Sequence, residues 1–273
     1  MNKSKSLCVV GASGLVGSSI VRCALEKGYV VNGTLRDKNN EEKIKYLKGL
    51  PNGKNLILYS ANMTNELDFL QPLEGVDAVF IACLIPVYKG QDGTLAKEMS
   101  YDRGYKEIIM PTVEGCLNIL KVAKNKGIKN IVICSSTSST NPIPPVKLKN
   151  EIDHWSDEDF QCEERKYTSA TKTVMEKAAF EFCDKNNIRL SIILPTGLYG
   201  DAIMPEHMKH NPFSWLKNAI EGGYPSHEKI PNDSSSMIHL RDLANIFLAV
   251  YENKECNGRY FGVYDLSLIH ISE

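Results

Sequence analysis

The stretch SLCVVGASGLVGS (residues 6–18) decides how the rest of the chain is read. Leu7–Val10 is a short apolar run of the kind that forms a buried strand, and glycines follow at 11, 14 and 17. Leu15–Lys27 then places apolar residues at helical spacing and is closed by Gly28. A G-x-x-G-x-x-G turn between a strand and a helix lets backbone amides and the helix N-terminus approach a pyrophosphate. The turn residues Gly11, Ser13, Gly14, Leu15, Val16 and Gly17 are therefore candidate dinucleotide contacts. Gly17 would in addition let the helix lie close on the strand.

Outward from this turn the pattern repeats. Strands are expected at 29–35, 55–59, 77–83, 130–136 and 190–194, and helices at 41–50, 169–186 and 242–252. A further helical stretch ends in EGCLNILKVAKNKG at Gly127. Near-continuous apolar strands alternating with helices predict an α/β fold, a doubly wound parallel sheet covered on both faces. The Pro-rich NPIPPVKLKN (141–150) reads as a loop over the C-terminal edge of that sheet, where open α/β sheets bind ligands. One domain is expected over 1–273, with 195–235 and the C-terminal tail forming a small substrate region.

Composition narrows the function classes. Lys and Arg number 32 against 33 Asp and Glu, so no basic excess points to a polyanion. No apolar run approaches the roughly 18 residues of a membrane helix. The eight cysteines are scattered, never in C-x-x-C, and mostly lie in apolar runs such as FIAC (80–83) and IVIC (131–134). They read as buried free thiols in a reducing compartment, so a cytoplasmic location is expected, with neither nucleic acid nor membrane as partner.

The end of the second expected strand bears on cofactor choice. An acidic residue there holds the ribose 2′-hydroxyl of NAD, whereas a nearby Arg accommodates the 2′-phosphate of NADP. The sequence runs Thr34-Leu35-Arg36-Asp37, with Lys43 a turn of helix beyond. Arg36 comes first and Asp37 one residue later, so NADP(H) is the expected cofactor, with Arg36 and Lys43 at the phosphate.

Several segments together resemble the extended short-chain dehydrogenase/reductases, in the branch of dihydroflavonol and cinnamoyl-CoA reductases. The likeness covers about residues 5–262 and rests on GASGLVG, TLRD with Lys43, PTVEGCLNILKVAKNKGIKNIVICSS and HWSDEDF. It continues through TKTVMEKAAFEF, IILPTGLYGD and MIHLRDLANIFLAVYE. The resemblance implies adenine-side contacts from Asn62 and Met63, and cofactor contacts from Ala82, Cys83 and Leu84. It also places Pro195, Gly197 and Leu198 beside the nicotinamide and Asn141 at the substrate, although an Asn before Pro142 equally suits a turn. The implied activity is NADPH-dependent reduction of an aldehyde or ketone by a monomer or homodimer. A dinucleotide-binding protein without that chemistry, and an epimerase or dehydratase, are the other readings.

The resemblance further implies a catalytic Ser, here Ser136, and a Tyr-x-x-x-Lys pair in which the lysine is Lys172 and also holds the nicotinamide ribose. The tyrosine is out of place. Four residues before Lys172 stands Thr168, and Tyr167 is five before it. On a regular helix, positions i and i+5 point about 140° apart. Either the first turn is irregular or bulged, so that Tyr167 still serves as acid and cofactor contact, or the proton donor is missing. Thr168 is no substitute for a phenol as an acid.

Other candidates read as ordinary structure. Ser138, Ser139 and Thr140 suit loop hydroxyls, His239 a packed strand end and Met175 a helix core position. His207 and His210 have helical i, i+3 spacing without a third ligand nearby, so they are expected to be solvated and no metal is expected. NWYCY of the cinnamoyl-CoA reductases is replaced by ERKYTSATK (164–172), which argues against a CoA thioester substrate. Between Pro86 and Pro111 the chain carries several extra residues, including YKGQDGTLAKEMSYDRGY (88–105), so a substrate unlike a flavonoid is expected. The likeness stops near Val263, so the substrate region is expected to be truncated.

Overall fold

The computed structural model describes residues 5–82, 84, 87–209, 217, 220–222 and 234–268. Seven strands form one parallel sheet: β1 (Ser6–Val10), β2 (Val30–Leu35), β3 (Leu56–Ser60), β4 (Ala78–Ile81), β5 (Asn130–Cys134), β6 (Arg189–Pro195) and β9 (Gly258–Gly262). Their order is β3-β2-β1-β4-β5-β6-β9, and every pairing is parallel. The chain runs outward one way from β1 and the other way from β4. That reversal opens a crevice at the C-terminal ends of β1 and β4.

Period-two alternation divides the strand side chains between two cores. Cys8, Val10, Val79, Ile81, Ile131, Ile133 and Ile192 face α4 (Met110–Asn125) and α6 (Tyr167–Lys185). Leu7, Val9, Val31, Phe80, Val132 and Ile193 face α1 (Leu15–Glu26) and α7 (Leu240–Glu252). The central strands β1, β4 and β5 are thus apolar on both sides, which is why their runs appeared continuous. The remaining helices are short: α2 (Glu41–Lys48), α3 (Tyr101–Gly104) and α5 (Glu158–Glu163).

The expected elements are present within a few residues, and 141–150 forms no helix or strand. Three features were not anticipated. Strand β9 closes the sheet. A second, three-stranded sheet joins β7 (Gly197–Tyr199), β8 (Ser234–His239) and β10 (Asp265–Leu268), with β8 parallel to β7 and antiparallel to β10. A π-helical turn at Tyr105–Ile109 joins α3 to α4. Of the expected substrate region, 210–216, 218–219, 223–233 and 269–273 lie outside the described residues.

Arg189 ties the end of α7 to the sheet. Its guanidinium donates to the carbonyl oxygens of Val250, Tyr251, Asn253 and Cys256 and to the Asn130 side chain. Four carbonyls at and beyond a helix C-terminus are thereby satisfied by one cation, the charge that end of a helix prefers. Cys8, Cys23, Cys116, Cys134, Cys162 and Cys183 are buried free thiols, and Cys256 is half-buried. Burial pushes the Cys162 thiol up to about 11 and the Cys116 and Cys183 thiols to about 12. Among the described residues, no helix is long and apolar enough to cross a membrane, and no cluster of His, Cys, Asp or Glu could hold a metal.

Phe80, fully buried at the sheet centre, packs its ring against Phe247 and Tyr251 at centroid distances of 5.9 and 5.8 Å. Phe80→Ala removes that contact and leaves a cavity at a fully buried position. It is expected to cost about 3–5 kcal/mol, read from the denaturant midpoint.

Candidate active site

The glycine turn sits at the reversal point, at the C-terminal end of β1. Gly11 has φ +79°, a conformation that suits glycine. A Cβ on Gly17 would run into the Gly11 carbonyl oxygen, so α1 can approach the turn only because position 17 lacks a side chain. Gly14 is the N-cap of α1, and no side chain caps the helix there. Its first-turn N–H groups and the positive end of its dipole therefore remain for an anion. Thr34 braces the turn from β2, its carbonyl accepting from the Ala12 N–H at 2.8 Å. This cradle fits a dinucleotide pyrophosphate.

The flanking residues arrive as the topology requires. Arg36 is exposed directly beyond β2, while Asp37 accepts from the Asn39 N–H at 2.9 Å and is occupied in a local turn. Lys43 is engaged elsewhere: its ammonium lies 2.9 Å from the Glu206 carboxylate. Asn62 caps its own turn by accepting from the Thr64 N–H, and the buried Met63 packs on Gly115 of α4. Ala82 and Leu84 are buried at the end of β4, and Cys83 lies outside the described residues. Pro195 ends β6, and Gly197 and Leu198 open β7. Asn141 is exposed, and its side-chain oxygen accepts from Lys149.

Ser136 follows β5 on the same edge, half-buried, and its hydroxyl oxygen accepts from the Ser138 N–H at 3.2 Å. Ser139 and Thr140 return hydrogen bonds to the carbonyls of Ser136 and Thr137, as loop hydroxyls do. Lys172 is half-buried one helical turn before Glu176, and Glu176 holds the hydroxyl of Ser135, the neighbour of Ser136. Helical geometry thus turns Lys172 to the loop that carries Ser136.

The expected irregular turn at Tyr167 is absent. Helix α6 is α-helical from Tyr167 onward: the Ala170 N–H donates to the Lys166 carbonyl at 3.0 Å, and the Thr171 hydroxyl to the Tyr167 carbonyl at 2.8 Å. Tyr167 is 1 % exposed, its ring lies over Gly104, and its hydroxyl donates to the Met99 carbonyl at 3.3 Å. Burial raises its pKa, the reverse of what an activated acid needs. The one-residue offset has placed this phenol in the core. Thr168, four residues before Lys172, is exposed in its stead. The irregular turn lies across the interface, in the π-turn at Tyr105–Ile109 that follows Gly104.

His207 departs from expectation, whereas His239 ends β8 as expected but is not buried there. His207 is buried, 3 % exposed, and its Nε2 lies 3.0 Å from the Ser13 carbonyl oxygen of the glycine turn. His239 is exposed and caps α7, its Nδ1 accepting from the Arg241 N–H at 3.2 Å. His210 lies outside the described residues. Met175 is fully buried, as its helix stripe predicts.

The family model for the NAD dependent epimerase/dehydratase family matches residues 7–261. This chain belongs to that family. It is 33 % identical to a dihydroflavonol 4-reductase of Callistephus chinensis over 97 % of its own length and 70 % of that protein's. It is 29 % identical to an anthocyanidin reductase of Vitis vinifera over 94 % and 75 % of the two chains. Among solved structures it resembles vestitone reductase from alfalfa, with a TM-score of 0.74, 25 % identity and coverage of 97 % and 78 %. The resemblance to the dihydroflavonol reductase branch and the doubly wound fold both hold. The cofactor of the glycine turn is accordingly a nicotinamide dinucleotide.

Tyr167→Phe removes one buried hydrogen bond to Met99. It is expected to lower stability by about 0.5–1.5 kcal/mol and leave turnover within about twofold. A general acid would instead lose about 10²–10⁴-fold, so steady-state rates beside melting curves separate the two roles.

Proposed function

We propose that this chain is an NADPH-dependent reductase that converts an aldehyde or ketone to an alcohol. Ser136 and Lys172 hold the reacting oxygen, and water stands in for the family's phenol. Ser136 follows β5 on the edge that carries the glycine turn, and Lys172 stands one helical turn before Glu176, which holds Ser135; that placement supports the reading most. The named relatives, dihydroflavonol 4-reductase and anthocyanidin reductase, support a carbonyl reduction. Bound NADPH would supply the hydride.

The residues of this chain do the rest. The Ser136 hydroxyl oxygen accepts from the Ser138 N–H, and its own proton donates to the substrate oxygen. The Lys172 ammonium stabilises negative charge developing on that oxygen. It also holds the ribose hydroxyls of the cofactor. The exposed Thr168 hydroxyl, one turn before Lys172, seats a water that passes a proton to the product oxygen. Arg36 binds the 2′-phosphate, and Lys43 does so to the extent that Glu206 releases it. Pro195, Gly197 and Leu198 flank the nicotinamide, and Asn141 borders the substrate. A small-molecule carbonyl without a CoA thioester is the substrate class.

The burial of Tyr167 favours one second reading, an NADP(H)-binding protein with no reductase chemistry. NADPH oxidation followed across a panel of aromatic and aliphatic carbonyls decides between them. Turnover supports the reductase, and tight NADPH binding without turnover on any member supports the binding protein.

Two substitutions follow. Arg36→Ala loses charge-assisted hydrogen bonds of about 1.5–3 kcal/mol, so NADPH should bind tenfold or more weakly while NADH is nearly unchanged. Equal losses would remove Arg36 from the phosphate site. Thr168→Tyr restores a phenol one turn before Lys172 while Tyr167 stays in its socket. Turnover should rise about 100-fold, the lower range of general acid catalysis, with NADPH affinity little changed.

A further inference from the structure

A buried polar cluster centred on Glu176 and Arg259 has no part in the reaction steps given above. Glu176 of α6 is fully buried and forms an ion pair with Arg259 of β9, Oε2 to Nε 3.0 Å. The other Glu176 oxygen accepts from the hydroxyl of Ser135. The Arg259 guanidinium donates to the carbonyl and hydroxyl oxygens of Ser139, each at 3.1 Å. It also donates to the carbonyls of Glu151 and His154 at 3.1 and 3.0 Å, and lies 3.7 Å from the Trp155 ring centroid. Within the loop, the Ser139 hydroxyl donates to the Ser136 carbonyl at 2.9 Å.

The loop around Ser136 is thus gripped on both sides, at Ser135 by the anion and at Ser139 by the cation. Ser136 itself touches neither. We infer that the Glu176–Arg259 pair is a positioning element that fixes the Ser136 hydroxyl for the reacting carbonyl, acting through Ser135 and Ser139. The inference rests on the reductase reading given above. It adds residues that reach the reaction only through Ser136.

The chemistry of the pair fits this task. A carboxylate and a guanidinium together supply acceptors and forked donors in fixed directions, which an apolar pair of equal volume lacks. Removing one partner leaves the other charged and buried, so a single variant that fails to fold decides nothing. Removing both charges with side chains of similar size avoids that penalty. Glu176→Met with Arg259→Met is therefore the informative protein.

Four proteins are compared in carbonyl reduction: wild type, Ser136→Ala, the double Met variant, and the double Met variant carrying Ser136→Ala. The double Met variant should lose tenfold or more in kcat, with the KM for NADPH within twofold. Adding Ser136→Ala to it should cost less than a further twofold, because the positioned group is already lost. Amide exchange at residues 135–140, measured without cofactor, should speed up at least tenfold while β1 and β4 keep their protection. Wild-type kcat in the double Met variant would overturn the inference. So would a fully multiplicative loss on the Ser136→Ala background, which would mean that the pair acts through something other than Ser136. If the wild type turns over no carbonyl, the reductase reading fails by itself. The exchange data then decide, and unchanged protection at 135–140 overturns the positioning role.

Discussion

The ion pair between Glu176 and Arg259 is the constraint on which the rest of the site's geometry depends. Burial pushes the Glu176 carboxyl up and the Arg259 guanidinium down, so each charge carries a desolvation cost that its partner only partly offsets. Measured on net stability alone, an apolar pair could serve about as well. What an apolar pair could not do is hold the segments around it in fixed directions. The pair joins helix α6 to the last sheet strand, the loop after β5 and the chain at Glu151–Trp155. Around it, the Gln161 side chain accepts from Thr173 and donates to the Ser138 carbonyl, extending the same grip to α5. Breaking one half would leave a buried charge with several donors or acceptors unmet, which is how such clusters specify a single arrangement.

Much of the fold was legible because its signals are local. The sheet strands β1 to β6 are apolar runs, and the glycine turn lies between a strand and a helix, so both topology and cofactor crevice follow from the chain itself. Strand β9 was not legible, since GRYFG is short, begins and ends in glycine and carries an arginine. That arginine is buried beside Glu176, an acid on the buried face of α6 that also carries Thr171 and Thr173. An arginine in the short segment between Gly258 and Gly262 was the one available signal. His207 was hidden for a related reason, because its contact is a backbone carbonyl at Ser13, remote in sequence. Lys43 was read as a phosphate ligand on charge alone, and no local pattern shows that Glu206 reaches it.

Tyr167 was the hardest residue to place from sequence, because the segment that decides its role lies some sixty residues earlier. The segment from Met99 to Gly104 builds a socket: the Met99 carbonyl receives the hydroxyl and Gly104 makes room for the ring. A Cβ at Gly104 would collide with that ring, so the residue is glycine for packing rather than for a turn. The π-turn beginning at Tyr105 then returns the chain to the helical line of α4, a means by which a helix absorbs an added residue.

The socket and the ion pair together explain why the phenol stays away from the cofactor crevice. Bringing Tyr167 to the position now held by Thr168 requires α6 to turn by about 100°, the rotation of one helical residue. The same turn would carry Glu176 away from Arg259 and Ser135, and Thr173 away from Gln161, leaving buried charged and polar groups without partners. It would also empty the space over Gly104. The cost of such a rotation falls on every contact of the helix at once, whereas the gain is a single hydroxyl at the active-site edge. The register of α6 is therefore fixed from both of its buried sides, by charge at Glu176 and by ring packing at Tyr167.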